Sequence, residues 1–399
     1  MDVDLGTLLV IAAVAVLAPV LAAIPKRLRV AVVVIEIGLG IVVGPDVLDL
    51  AQTDPTIDVL AAMGLAALFF LAGAEVDPPA IRGGPLNLAS LGWGASVGIA
   101  LLAAWALDAG GVAENPEFVA LALATTALGV LVPVLRDSGL RGTPFGTMVL
   151  AAGTAGEMGP IILMSIFLAV GESTLTQVLL LAVFAASTLA LAVTAPRLRS
   201  PWIARLLRET MHATGQLAVR ICLLLLVALV FLATELGLEL TLGAFAAGVV
   251  LGIVMRDTAG SEVLAVKLDA VAFGLLVPIF FVHSGLTFDL DGLLASPGAL
   301  LQLPIFLVLF LVVRGTPAVL AARRLDRRGV VSLGFLSAAT LPLVVAVTQA
   351  GVREDRLASD TAAALVGAAM LSVLIYPAVA LALLGRTAKR GPDPQPEAL

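Results

Sequence analysis

Thiol and imidazole chemistry are almost missing from this chain. Its 399 residues include one cysteine, Cys222, and two histidines, His212 and His283. A single cysteine excludes an intramolecular disulfide and any cysteine-based metal site. Two histidines exclude a multi-histidine site. Charge is scarce as well: Asp, Glu, Lys and Arg make up 13% of the residues, against about 25% in a typical soluble domain. Asp is confined to loops and helix ends, including Asp2, Asp46, Asp77, Asp137, Asp269 and Asp291, so the paired membrane aspartates of an intramembrane protease are not expected. There is no H-E-x-x-H, no P-loop and no G-x-S-x-G. A filter loop of the kind that marks channels is also lacking. Neither an enzyme, a bound cofactor nor a nucleic-acid partner is expected.

What the chain has in quantity is apolar length. Hydrophobic residues make up 60% of it, and the mean hydropathy is +1.10. A spanning helix needs about 20 mostly apolar residues. Candidate spans fall at 5–24, 30–45, 57–75, 86–107, 117–135, 146–170, 175–194, 215–235, 241–255, 270–285, 299–322, 330–350 and 361–384. The expected fold is therefore an all-α polytopic membrane protein with about thirteen transmembrane helices. The fifth, sixth, ninth and tenth spans are short or interrupted by Gly and Pro. The first run lacks a basic region before it and reads as a retained helix rather than a removed signal.

Orientation follows the lysines and arginines. Numbered alternately from Pro25–Arg29, one set of joints holds nineteen basic residues and the other only Arg353 and Arg356. This asymmetry puts the N-terminus outside and the C-terminus in the cytoplasm. The segment 196–216 is basic and partly amphipathic, and reads as lying along the inner surface. Residues 1–385 form the expected membrane domain, with core helices in 117–170 and 299–384, and 386–399 read as a disordered tail.

Glu157 lies inside the apolar run Met148–Val170. A carboxylate at membrane depth is costly and marks a functional site by default. Arg314 lies in the eleventh candidate span, nine residues before Arg323, or roughly 13–14 Å deeper along a helix. It reads as a fixed cation near the functional centre. Glu36, Glu75 and Arg220 sit toward the ends of their spans and read as structural pairs. His283, at a glycine-bearing helix end, is a candidate pH sensor or an interfacial hydrogen-bonding residue.

Two segments resemble each other in character: ATTALGVLVPVL (124–135) and SAATLPLVVAV (337–347). Each sets Thr beside a helix-weakening stretch with Pro nearby. Such broken helices meet at the midplane in transporters built from inverted repeats. Freed carbonyls and Thr hydroxyls suit a dehydrated monovalent cation, which makes Thr125 and Thr126 candidate ligands beside Glu157. Opposed half-helix dipoles at such a crossing call for charged compensation. A lone buried carboxylate holds either a proton or a small cation such as Na+ or K+. If only the loaded forms reorient, the two ions exchange.

The stretches EIGLGIVVGPDVL (36–48), LFFLAGAEVD (68–77), TTALGVLVPVL (125–135), AVRICLLLL…LGLELTLGAFAAGVVLG (218–252), KLDAVAFGLLVPIFFVHSGLTFDL (267–290) and RGTPAVL (314–320) resemble the cation:proton antiporter-2 family of sodium/hydrogen exchangers, including the membrane domains of Kef-type systems. The resemblance implies inverted repeats with crossing unwound helices, a mobile core domain, a dimerisation domain and elevator-like alternating access. It also implies a bacterial inner-membrane homodimer active in pH homeostasis. Where the family carries an acidic or amide pair, this chain has Gly156-Glu157, keeping one acid. A single acid points to electroneutral exchange of Na+ or K+ for a proton, with Arg314 as the basic partner. The rival readings are a sodium-coupled organic-anion symporter and a non-transporting membrane sensor.

Overall fold

The computed structural model describes residues 5–23, 31–75, 84–167, 174–194, 215–255 and 261–384. Among them there is no strand. Among the described residues, nine helices are long and apolar enough to cross a membrane, and four shorter apolar helices join them. The basic joints at 25–29 and 197–208, the segment 196–214, His212 and the tail 386–399 lie outside the described residues. The chain divides into two compact units, residues 1–77 with 161–288, and residues 78–160 with 289–399.

The first unit contains α1 (Leu5–Ala23), α2 (Val32–Val43), α3 (Pro55–Glu75) and the last turns of the helix Pro144–Phe167. It continues with α8 (Thr174–Thr194), α9 (Leu217–Glu235), α10 (Leu240–Met255) and α11 (Ser261–Val271). A π-helical turn (Ala272–Leu276) leads into α12 (Val277–Leu286). Helices α3 and α10 pack together, and a Cβ on Gly73 or Gly248 would fall on the backbone of the other helix. Small residues allow this close approach, which is how helices associate where lipid removes the hydrophobic incentive. A second apolar cluster joins Ile11, Val14, Ile57 and Val282. Facing away from these contacts, Leu224, Val227 and Phe231 stay more than 60% exposed, a surface suited to acyl chains.

The second unit holds α4 (Gly84–Ala109), α5 (Pro116–Leu123), α6 (Leu128–Asp137) and most of α7 (Pro144–Phe167). After these come α13 (Leu290–Ala295), α14 (Pro297–Gly315) and a 3-10 segment (Thr316–Arg323). The last elements are α15 (Arg327–Ser337), α16 (Pro342–Arg353) and α17 (Ser359–Leu384). Local chemistry sets several starts. The side chains of Ser296 and Asp326 cap α14 and α15, accepting from Ala299 N at 3.2 Å and Gly329 N at 3.0 Å, a standard way to satisfy first-turn donors. Pro116 and Pro342 open α5 and α16, where a missing N–H costs nothing. The core joins Leu131, Leu135, Val149, Leu333 and Leu336.

Two spans, the sixth and the tenth, differ from the sequence expectation. The sixth expected span runs unbroken through Pro160 as α7, while the ninth is short, with the 16 residues of α10. The tenth begins at Ser261 rather than 270, because the polar residues Lys267 and Asp269 lower the hydropathy of its first turns. Lys267 Nζ there donates to Gln216 Oε1 at 2.8 Å. The twelfth expected span breaks between α15 and α16, within the helix-weakening stretch 337–347.

Candidate functional site: two interrupted helices

Helices α5 and α6 stop and restart around residues 124–127, and α15 and α16 around 338–341. The two interruptions satisfy each other. Ala127 N donates to Ala339 O at 3.0 Å, and the hydroxyls of Thr125 and Thr340 lie 2.6 Å apart. Thr125 Oγ1 also donates to Ala122 O at 2.7 Å, so Thr340 supplies the proton between the two hydroxyls. Thr126 N donates to Gly156 O on α7 at 2.9 Å. Ser372 of α17 closes the other side, accepting from Thr340 N at 3.1 Å. Trp93 Nε1 of α4 donates to Ala124 O at 3.2 Å. Irregular backbone at this depth is tolerated only when protein groups satisfy it in this way.

Two buried charges meet this crossing, and each stands where a half-helix dipole needs it. Glu157 and Arg314 are each only 4% exposed. Glu157 Oε2 accepts from Leu128 N at 3.2 Å, the first residue of α6, where the dipole end is positive. The Arg314 guanidinium spreads over three acceptors. Nε donates to Thr126 Oγ1 at 2.8 Å, Nη1 to Ser96 Oγ at 3.0 Å and Nη2 to Ala152 O at 3.1 Å. Thr126 Oγ1 passes its own proton to Ser337 O at 2.5 Å, the last carbonyl of α15. The cation therefore acts through Thr126 on a negative helix end, and the carboxylate acts directly on a positive one.

Gly156 has no room for a side chain. A Cβ there would lie 2.6 Å from Thr126 Oγ1 and 2.8 Å from Thr126 Cβ, and it would also run into Arg314 Nη2. The position where the resemblance expects a further acid is thus occupied by the guanidinium and Thr126.

Of the residues singled out from sequence, Glu157, Thr125, Thr126 and Arg314 come together in the second unit. The other four belong to the first unit. Glu36 is buried on α2, with no hydrogen bond to it among the described residues. Glu75, the last residue of α3, is exposed, as is Arg220 in the first turns of α9. His283 Nε2 lies 2.9 Å from Asp58 Oδ1 and pins α12 to α3. Sequence reading missed Ser96, Trp93 and Ser372. Each is an isolated polar residue in an apolar helix, and nothing local distinguishes it. Thr340 had a signal, since it stands in the second segment where Thr125 and Thr126 stand in the first.

An α-helical, multi-pass membrane protein with two crossed discontinuous helices and a buried carboxylate at their junction is the class defined by this fold and site. The chain belongs to the sodium/hydrogen exchanger transmembrane family, whose description matches residues 12–384. It is 28% identical over 390 residues to the YjbQ protein of Bacillus subtilis (strain 168), a match that covers 94% of this chain and 62% of that one. The chain thus spans less than two thirds of that relative's length. It is 26% identical over 346 residues to the Na+/H+-K+ antiporter GerN of Bacillus cereus, covering 85% of this chain and 86% of GerN. The fold matches the sodium proton antiporter MjNhaP1 of Methanocaldococcus jannaschii, with a TM-score of 0.68 at 15% identity, over 96% of this chain and 99% of that one.

Proposed function

We propose that this protein exchanges a monovalent cation, Na+ or K+, for a proton at Glu157. The observation that carries the reading is the single buried carboxylate at the start of α6, beside a Gly156 that admits no second acid. The antiporter names of its relatives support it. A carboxylate bearing one proton and a carboxylate bearing one monovalent cation have the same net charge. If only these two forms reorient, each cycle moves one cation against one proton, and the exchange is electroneutral. Thr125 and nearby carbonyls supply further oxygen ligands. Thr126 links the cation site to Arg314, whose fixed charge holds the crossing together while Glu157 is unloaded. Alternating access carries the site from one membrane face to the other.

The protein works in a bacterial inner membrane as a homodimer of thirteen-span subunits, with the N-terminus outside, the C-terminus cytoplasmic and no cofactor. The test is dissipation of a pH gradient in proteoliposomes on addition of Na+, K+ or Li+. Wild type is expected to respond to at least one of these without generating a membrane potential, and Glu157→Gln to none. Exchange by the variant at the wild-type rate would end the reading.

A further inference from the structure

Arg314 has more donors than the protein uses. A guanidinium carries five N–H groups, and among the described residues Arg314 makes three hydrogen bonds, all to neutral oxygens. One N–H remains on each terminal nitrogen. Behind the crossing, a cavity is lined by Gly92 and Trp93 of α4, Ala152 of α7, Arg314, and Leu333 and Ser337 of α15. The Ser337 hydroxyl makes no hydrogen bond to any described residue, although the residue is only 4% exposed. A buried cation with spare donors and an idle hydroxyl therefore share one otherwise largely apolar space, and convergent polar groups in an apolar cavity are the usual mark of a ligand site.

The narrow part of the cavity and the charge of Arg314 point to the ligand. This narrow part has a volume of about 30 Å³, enough for one or two waters. It takes two waters or one small ion, and the cavity is open on one side. A guanidinium paired only with neutral oxygens attracts negative charge, and N–H groups on two nitrogens suit a carboxylate.

We propose that this cavity is a binding site for a small monovalent anion, of formate or chloride size, held by Arg314 and Ser337. Its occupancy would act on the crossing through the Arg314–Thr126–Ser337 connection. It would do so without the anion touching Glu157.

The test is equilibrium binding to the purified full chain in choline salts, which keeps it independent of cation and proton exchange. Choline formate and choline chloride are compared with choline gluconate, a much bulkier anion, at equal ionic strength and pH. A saturable rise in melting temperature is expected with formate or chloride and not with gluconate. Ser337→Ala should weaken the apparent affinity at least tenfold. Gly92→Val should abolish the response: Gly92 lines the cavity, and a Cβ there meets Pro317 Cβ at an ordinary 3.6 Å. If neither anion gives a saturable shift in wild type, or if Ser337→Ala and Gly92→Val respond like wild type, the site does not exist.

Discussion

Arg314 Nε donates to the hydroxyl of Thr126 at 2.8 Å, and the same hydroxyl donates to Ser337 O at 2.5 Å. Thr126 is thus the single relay between a buried cation and the C-terminal end of α15. Thr126→Val keeps the shape and removes the relay, leaving a charged donor and a buried carbonyl without their partner. Each such orphan costs about 1–3 kcal/mol, and more where charge is involved. We expect Thr126→Val to lower the melting temperature clearly, and Thr126→Ser to stay close to wild type. Equal melting of Thr126→Val and wild type would show that the relay contributes nothing to stability.

Gly156 gives a prediction whose sign opposes the general rule. Replacing a mid-helix glycine by alanine ordinarily stabilises by roughly 0.5–1 kcal/mol. At Gly98 in α4, nothing lies within 4 Å of the place a methyl would take, so Gly98→Ala should follow the rule. Gly156→Ala should destabilise, because its methyl meets Thr126 and the Arg314 guanidinium. Combining it with Arg314→Ala should cost less than the two changes added together, since the larger obstacle is then gone. A double-mutant cycle in thermal or denaturant unfolding measures this coupling, about 0.5–3 kcal/mol for residues in contact. Additive costs would mean that the guanidinium does not fill the space beside Gly156.

Much of this arrangement is legible in the sequence because membranes impose long-range rules on short stretches. Apolar runs mark α1, α3 and α17, whose ends lie within about two residues of the expected bounds. Glu157 and Arg314 stand out because charge is rare at such depth. The two interruptions are legible as a weak pair, yet Pro accounts directly for only one of them. Pro342 opens α16, whereas the first break falls at 124–127, upstream of Pro133. That break rests on tertiary partners instead: Thr340, Ala339, Gly156 and Trp93 satisfy its backbone and hydroxyls. No local pattern announces such partners. For the same reason Ser96 is invisible in sequence until Arg314 Nη1 is seen to reach it.

His283 is predicted to be a structural pin and not part of the exchange chemistry. Its Nδ1 is buried without a hydrogen-bond partner, while Nε2 meets Asp58 Oδ1 at 2.9 Å. The neutral tautomer with the proton on Nε2 fits this arrangement, since a second N–H on Nδ1 would point at no acceptor. Asp58 is 58% exposed, and pairs with an exposed member contribute about 0–1 kcal/mol. His283→Gln should therefore lower stability slightly and leave the pH profile of exchange unchanged. A displaced profile would show that His283 titrates during transport.

Competition at one carboxylate makes a quantitative prediction about pH. A cation that binds only the native protein raises the melting temperature according to its concentration relative to its Kd. At Glu157 the cation and the proton occupy the same group. Above the carboxylate's titration the apparent Kd should be independent of pH. Below it, each proton bound must leave before the cation enters, so the apparent Kd should rise about tenfold for each unit of acidification. A site built on two coupled carboxylates would give a slope approaching a hundredfold per unit. Melting curves of the purified protein against Na+ or K+, at closely spaced pH values, measure that slope directly. Glu157→Gln should abolish the cation-induced shift at every pH, because the amide binds neither ion as a carboxylate does, while its oxygen still accepts from Leu128 N and preserves the start of α6. A slope clearly above tenfold would require a second acid in the site and would overturn one-for-one exchange. A cation response that survives in Glu157→Gln would move the site away from the crossing altogether.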